Sequence, residues 1–224
     1  MVRASNDSAY LDQPLDGGAA VLLKTAERLF AEHGLEAVST RMISREAGQK
    51  NHSALQYHFG NRDGLIETIL NYRLTPINQE RLRRLDALQH KGDTVTVRKL
   101  VEVFVEPFAE ELLKPVDETC YVSLLAQLYA YQPGRDLFQK NRERRRALHQ
   151  MTSLMIKALK PLPLPVIHLR LQLMGRQTMS AIAEWDEARR NQSIELDAAA
   201  LRWRTDNLVD FIVGGLQAKS SSAG

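Results

Sequence analysis

Apolar residues recur at helical spacing along almost the whole chain. Leu22, Ala26, Leu29 and Phe30 set a first helix from about Ala19 to His33, and Gly34 closes it. Met42, Ile43 and Ala47 share one face of a short second helix, which Ser39 or Thr40 caps and Gly48 ends. A third short helix follows from His52 to about His58, with Asn51 as its cap and Leu55 and Phe59 turned inward. Asn61 caps a fourth helix. Its stripe opens with Leu65, Ile66, Ile69 and Leu70, bends at Pro76, and continues through Ile77, Leu82, Leu85 and Leu88 to Gly92.

The valine-rich stretch after Asp93 resembles a strand in composition. However, Val97, Leu100, Val101, Phe104, Phe108 and Leu112 keep helical spacing over a length that no strand needs, with a bend expected at Pro107. Asp117 caps a sixth helix carrying Tyr121, Leu124, Leu125 and Leu128, which ends at Gln132-Pro133-Gly134. A seventh runs from about Arg135 to Leu159, and the prolines between Pro161 and Pro165 break the chain again. Two long helices close it, about Val166 to Arg190 and Ile194 to Ala218, with Ser193 as the cap of the second. The pattern therefore predicts an all-α protein of about nine helices. Both terminal helices are apolar on two faces, so a second partner is expected, most simply another copy of the chain. Leu173, Ala198, Arg202, Val209 and Val213 are the interface candidates, and Gly214-Gly215 would permit close approach.

Composition narrows the class without deciding it. The 224 residues are 44% hydrophobic and 25% charged, with a net charge of +3. Bulk charge thus does not imply a nucleic acid. One cysteine, Cys120, rules out an internal disulfide, and a reducing cytoplasm is the expected location. The first residues lack the apolar core of a signal peptide, and no apolar run of about 18 residues exists to span a membrane. The six histidines form no metal-ligand pair at helical spacing, and no phosphate loop, nucleophile elbow or Cys/His arrangement is present. No enzyme, metal or cofactor is expected.

Charge matters locally. Between Ser39 and Arg62 the bases are Arg41, Arg45, Lys50 and Arg62, and the acid is Glu46. The outward face of the third helix offers His52, Ser53, Gln56 and Tyr57, hydrogen-bonding groups suited to base edges in a major groove. The block VLLKTAERLFAEHGLEAVSTRMISREAG, followed by LQYHFGNRDGL, resembles the DNA-binding domain of TetR-family bacterial transcriptional regulators over roughly Val21 to Tyr72. The chain departs from that pattern in Ser44, in Gln56, and in a turn one residue longer than usual. The resemblance implies a helix-turn-helix domain over 19–65 and double-stranded DNA as partner. Arg41, Lys50, Tyr57 and Arg62 are the phosphate candidates, His52, Ser53 and Gln56 the base-edge candidates, and Thr40 and Asn51 lie beside them.

The resemblance also implies a ligand-binding and dimerisation domain, here 66–218, between an arm (1–18) and a tail (219–224) expected to be disordered. Phe104, Phe108, Tyr121, Leu125, Met151, Met155, Met174, Thr178 and Trp185 fit either a plain core or the lining of an apolar cavity. The basic run Asn141 to Arg146 fits either a solvated helix face or a rim for an acidic ligand end. The expected function is a homodimeric repressor released by a small hydrophobic ligand. Two other readings are a helical interaction protein that has lost DNA binding, marked by a blocked recognition face, and a ligand-independent DNA binder, marked by a filled second domain.

Overall fold

A computed structural model describes residues 15, 17–49, 53–90, 94–130, 136–138 and 142–221, with the backbone only at 142–145. Among them are nine long or short α-helices: α1 (Gly17–His33), α2 (Thr40–Glu46), α3 (Ala54–Phe59), α4 (Arg62–His90), α5 (Val97–Ala109), α6 (Tyr121–Ala130), α7 (Arg142–Ala158), α8 (Leu164–Arg190) and α9 (Ala198–Gln217). Two short 3-10 turns, Glu110–Leu113 and Val116–Glu118, join α5 to α6. No strand occurs among the described residues. The arm falls mostly outside them.

Local chemistry sets the helix ends. The Ser39 hydroxyl accepts from the Met42 amide at 3.2 Å, and Asn61 accepts from Gly64 at 2.8 Å. Gly34 and Gly48 leave α1 and α2 in the left-handed region, where a side chain would be strained. Three starts differ from the expected ones. Thr96 caps α5, because its hydroxyl reaches Lys99 N at 3.3 Å. Asp197, and not Ser193, caps α9: its carboxylate accepts from Ala200 at 2.7 Å and complements the helix dipole. The stretch around Asp117 is a 3-10 turn, so α6 begins only at Tyr121. The helix α4 runs on through Pro76.

Two apolar clusters fill the molecule. The first joins α1 to α4 with the end of α5, α6 and the C-terminal half of α8, around fully buried Phe30, Phe108 and Tyr121. The second packs the start of α5, α7, the N-terminal half of α8 and α9 around Leu100, Met155 and Ile212. Each fully buried leucine or phenylalanine contributes about 1.5–3 kcal/mol. The helix-turn-helix unit therefore shares one continuous core with the bundle above it.

Several polar groups buried in that core are paired across helices. Glu27 on α1 takes both Arg73 Nε and Nη2 of α4 at 2.7 Å, and the Arg73 guanidinium lies over the Tyr121 ring at 4.6 Å. Tyr121 in turn donates to Glu111. Burial pushes the Glu27 carboxyl up, and the hydrogen bonds and charge of Arg73 pull it back. Gln127 on α6 donates to Phe30 O at 3.3 Å and accepts from Leu35 N at 3.1 Å, clasping the end of α1. Asp186, fully buried on α8, accepts from Thr119 at 2.8 Å, Arg189 at 2.8 Å and Arg190 at 2.8 and 2.6 Å. Arg73→Met should lower unfolding free energy by about 3–5 kcal/mol, because it strands a buried carboxylate. Adding Glu27→Leu should recover most of the loss. Urea unfolding at fixed protein concentration measures both.

Candidate DNA-binding surface and ligand cavity

The helices α1, α2 and α3 present a small tripod on the N-terminal half of α4. Ile43 of α2, Leu55 and Phe59 of α3, and Leu65 of α4 are buried at its centre. Burying Leu55 and Phe59 forces Gln56 and Tyr57 outward, and Tyr57 is 83% exposed. Ser53 and Arg41 are also exposed, and Thr40 is half-buried in the first turn of α2. The recognition face is thus open. Lys50, Asn51 and His52 lie outside the described residues. The helix α3 begins at Ala54, two residues after the expected start at His52.

Arg62 has a different place from the expected one. Its guanidinium donates to Leu35 O and lies over the Phe30 ring at 5.5 Å. It therefore ties the α1–α2 corner to the start of α4, and a phosphate would have to share it with that contact. Arg45, the other base of α2, pairs with Glu46 at 3.3 Å.

In the bundle, α5, α6, α7 and α8 line a mainly apolar cavity of about 250 Å³ that is open to solvent on one side. Four of the candidate ligand residues line it: Phe104, Met151, Met155 and Met174. Tyr129, Thr152, His168 and Gln172 add polar edges. Gly175 leaves room for the Tyr129 side chain, whose hydroxyl a Cβ there would displace. The other five candidates are not in the lining. Phe108, Tyr121 and Leu125 are fully buried in the first cluster, which they help weld to the DNA-binding unit. The Thr178 hydroxyl is spent on Met174 O at 2.9 Å within its own helix. Trp185 lines a shallow surface groove with Trp203 and Phe211. Helical spacing placed all of them inward, but not against which neighbour. In the basic run, Asn141 and the side chains of Arg142, Glu143, Arg144 and Arg145 lie outside the described residues, and Arg146 is exposed.

One residue beside the cavity carries no sequence signal. Arg81 of α4 is 3% exposed. It donates through Nε and Nη2 to Phe104 O at 3.2 and 2.7 Å and through Nη1 to Asn78 Oδ1 at 3.0 Å. Its guanidinium lies 4.5 Å from the centre of the Phe104 ring. No carboxylate pairs with it among the described residues. Burial lowers its pKa to about 10, partly opposed by Tyr129.

The outer faces of α8 and α9 form a second feature. Leu169 and Leu173 on α8, and Trp203 and Phe211 on α9, are between 52% and 68% exposed. Among the expected interface residues, Leu173, Ala198 and Arg202 are exposed, as an interface requires. Val209 is not: it is 1% exposed in the cluster that packs α9 on α5, and Val213 is half-buried against the same cluster. The helix turns these valines towards its own bundle and sends Phe211 out.

A helix-turn-helix tripod on an all-helical bundle is an arrangement suited to binding DNA. Residues 22–69 match the family model described as bacterial regulatory proteins, tetR family. The whole fold is similar to that of a TetR family transcription regulator from Marinobacter aquaeolei VT8, with a TM-score of 0.55 and 17% identity over 87% of this chain and 95% of that one. It is also similar to a protein from Rhodococcus sp. assigned as a TetR-family transcriptional regulator, with a TM-score of 0.50 and 16% identity over 89% and 96%. No curated protein sequence matches the chain. The family match is thus confined to residues 22–69, and over the rest of the chain the likeness is one of fold. No helix among the described residues is long and apolar enough to cross a membrane.

The tripod geometry separates two roles. Arg41→Ala should reduce the slope of log affinity against log salt by about one unit, equally on all duplexes. Gln56→Ala should cost about 1–3 kcal/mol at one position of the preferred site. Arg62→Ala should lower the melting temperature as well, because it frees the Leu35 carbonyl and the Phe30 face. Fluorescence anisotropy over a salt series, with thermal melting of each variant, measures all three.

Proposed function

We propose that this protein is a homodimeric repressor, released from its operator by a small apolar ligand held between α5, α6, α7 and α8. The observation that carries the reading is the cavity bounded by Phe104, Met151, Met155 and Met174. Methionine is unbranched and polarisable, so such a wall accommodates guests of varied shape. A bundle built only to support DNA binding has no need of this space. The open recognition face on α3 likewise speaks against a protein that has lost DNA binding.

Repression needs two recognition helices at a fixed separation. The exposed Leu169, Leu173, Trp203 and Phe211 support a two-fold, four-helix interface built from α8 and α9 of each copy. Nothing lies within 4 Å of a Cβ built at Gly214 or Gly215, so a partner helix can approach closely there. Such a dimer would read a near-palindromic site with half-sites one helical turn, or a multiple, apart.

Release follows if the guest fits one disposition of α4 better than another. A guest that fits both equally shifts nothing. Tenfold induction needs a difference of only about 1.4 kcal/mol. Binding-site selection with the purified protein should yield an inverted repeat, and aromatic and fatty-acyl compounds should then be screened for its release. Met174→Ala is expected to change the response to a releasing compound, and Phe108→Ala to leave its selectivity unchanged. The opposite pattern places the ligand elsewhere. Trp203→Arg combined with Phe211→Arg should give monomers by sedimentation and weaken operator binding strongly. A wild-type protein that sediments as a monomer at micromolar concentration removes the dimer.

A further inference from the structure

Arg81 is a cation placed in the core without an anion among the described residues. Three of its five N–H donors are engaged, by Phe104 O and Asn78 Oδ1. One N–H on each of Nη1 and Nη2 is left over, the number a carboxylate takes in a two-pronged contact. Several other buried or half-buried arginines have carboxylates: Arg73 has Glu27, Arg84 has Glu80, Glu106 and Glu110, and Arg190 has Asp186, whereas half-buried Arg62 and Arg170 lie nearer the surface on backbone carbonyls. A buried charge without a counter-ion is costly, and most folds avoid it. The Phe104 ring lies over the guanidinium, and that same ring is a wall of the cavity.

We propose that the cavity takes an apolar monocarboxylate, and that Arg81 reads its charged end once the Phe104 ring swings aside. The apolar body would lie against Met151, Met155 and Met174, and the carboxylate would take the two spare N–H groups. This rests on the cavity reading above and names the chemistry of its guest. It also gives the guest a direct hold on α4. Arg81 ties α4 to the α5 backbone through Phe104 O, and a carboxylate on Arg81 competes with that tie. The N-terminal half of α4 belongs to the DNA-binding tripod, so the signal has a single helix to travel.

The test compares acids with shape-matched neutral molecules on the full-length protein. Octanoate, decanoate and 4-phenylbutyrate are titrated by calorimetry beside octan-1-ol, decan-1-ol and 4-phenylbutan-1-ol. Wild type should bind at least one acid ten or more times more tightly than its alcohol. Arg81→Met should erase that preference while keeping the alcohol's affinity. Arg81→Lys should keep part of it and guards against a variant that fails to fold. Equal affinity of acid and alcohol for wild type overturns the role of Arg81 and leaves the cavity reading intact. A preference for acid that survives in Arg81→Met places the anion on another cation and also overturns it. If no acid or alcohol binds wild type, and broader screening finds no guest sensitive to Met174→Ala, the cavity reading falls and this proposal with it.

Discussion

The joint between the two halves of this protein depends on a buried ion pair. Glu27 and Arg73 hold α1 and α4 together through two bonds of 2.7 Å, and Tyr121 and Glu111 extend the contact into the bundle. A pair of this kind gains little over apolar residues of the same size, but losing either partner is expensive. Its contribution is geometric. Two bonds to one planar guanidinium fix angle as well as distance. With the Gln127 clasp on the end of α1, it makes the tripod and the lower bundle one body.

The upper part of α4 is held differently. Arg84 spreads its contacts over Glu80, Glu106 and Glu110, in partly solvated surroundings where each ion pair contributes little. Arg81 bonds to a backbone carbonyl and an amide side chain, with no carboxylate among the described residues to oppose its charge. The helix is thus held by a charge pair where it meets the DNA-binding unit and by a cation on neutral partners where it meets the cavity. On the proposed reading that difference matters, because neutral partners can be exchanged for an anion and a charge pair cannot.

Much of this was legible in the sequence, and the legible part is local. Ser39, Gly34, Gly48 and Asn61 act where their chemistry predicts, because caps and left-handed turns depend on neighbours in the chain. Apolar periodicity also found every long helix. It could not assign a face to the right neighbour when a helix is apolar on two sides. Val209 and Phe211 lie two residues apart on α9, one in the core and one exposed, and periodicity gives both a claim to the outside. Phe104 and Phe108 are one turn apart on α5, yet one lines the cavity and the other packs below it. Arg81 looks in the sequence like any other base in a helix that has several. Only its contacts with Phe104 and Asn78 distinguish it.

The methionine wall has a consequence for how such a protein changes over generations. Exchanges among methionine, leucine and isoleucine keep side-chain volume nearly constant and disturb a core little. Met151, Met155 and Met174 belong to the upper cluster, apart from the core that Glu27 and Arg73 brace. Substitution there can redraw the outline offered to a guest without touching the frame that holds the recognition helices. On the proposed reading, chemical specificity and DNA-binding geometry are then free to drift at separate rates, and a duplicated copy of the gene would need few steps to answer a new compound at an old promoter.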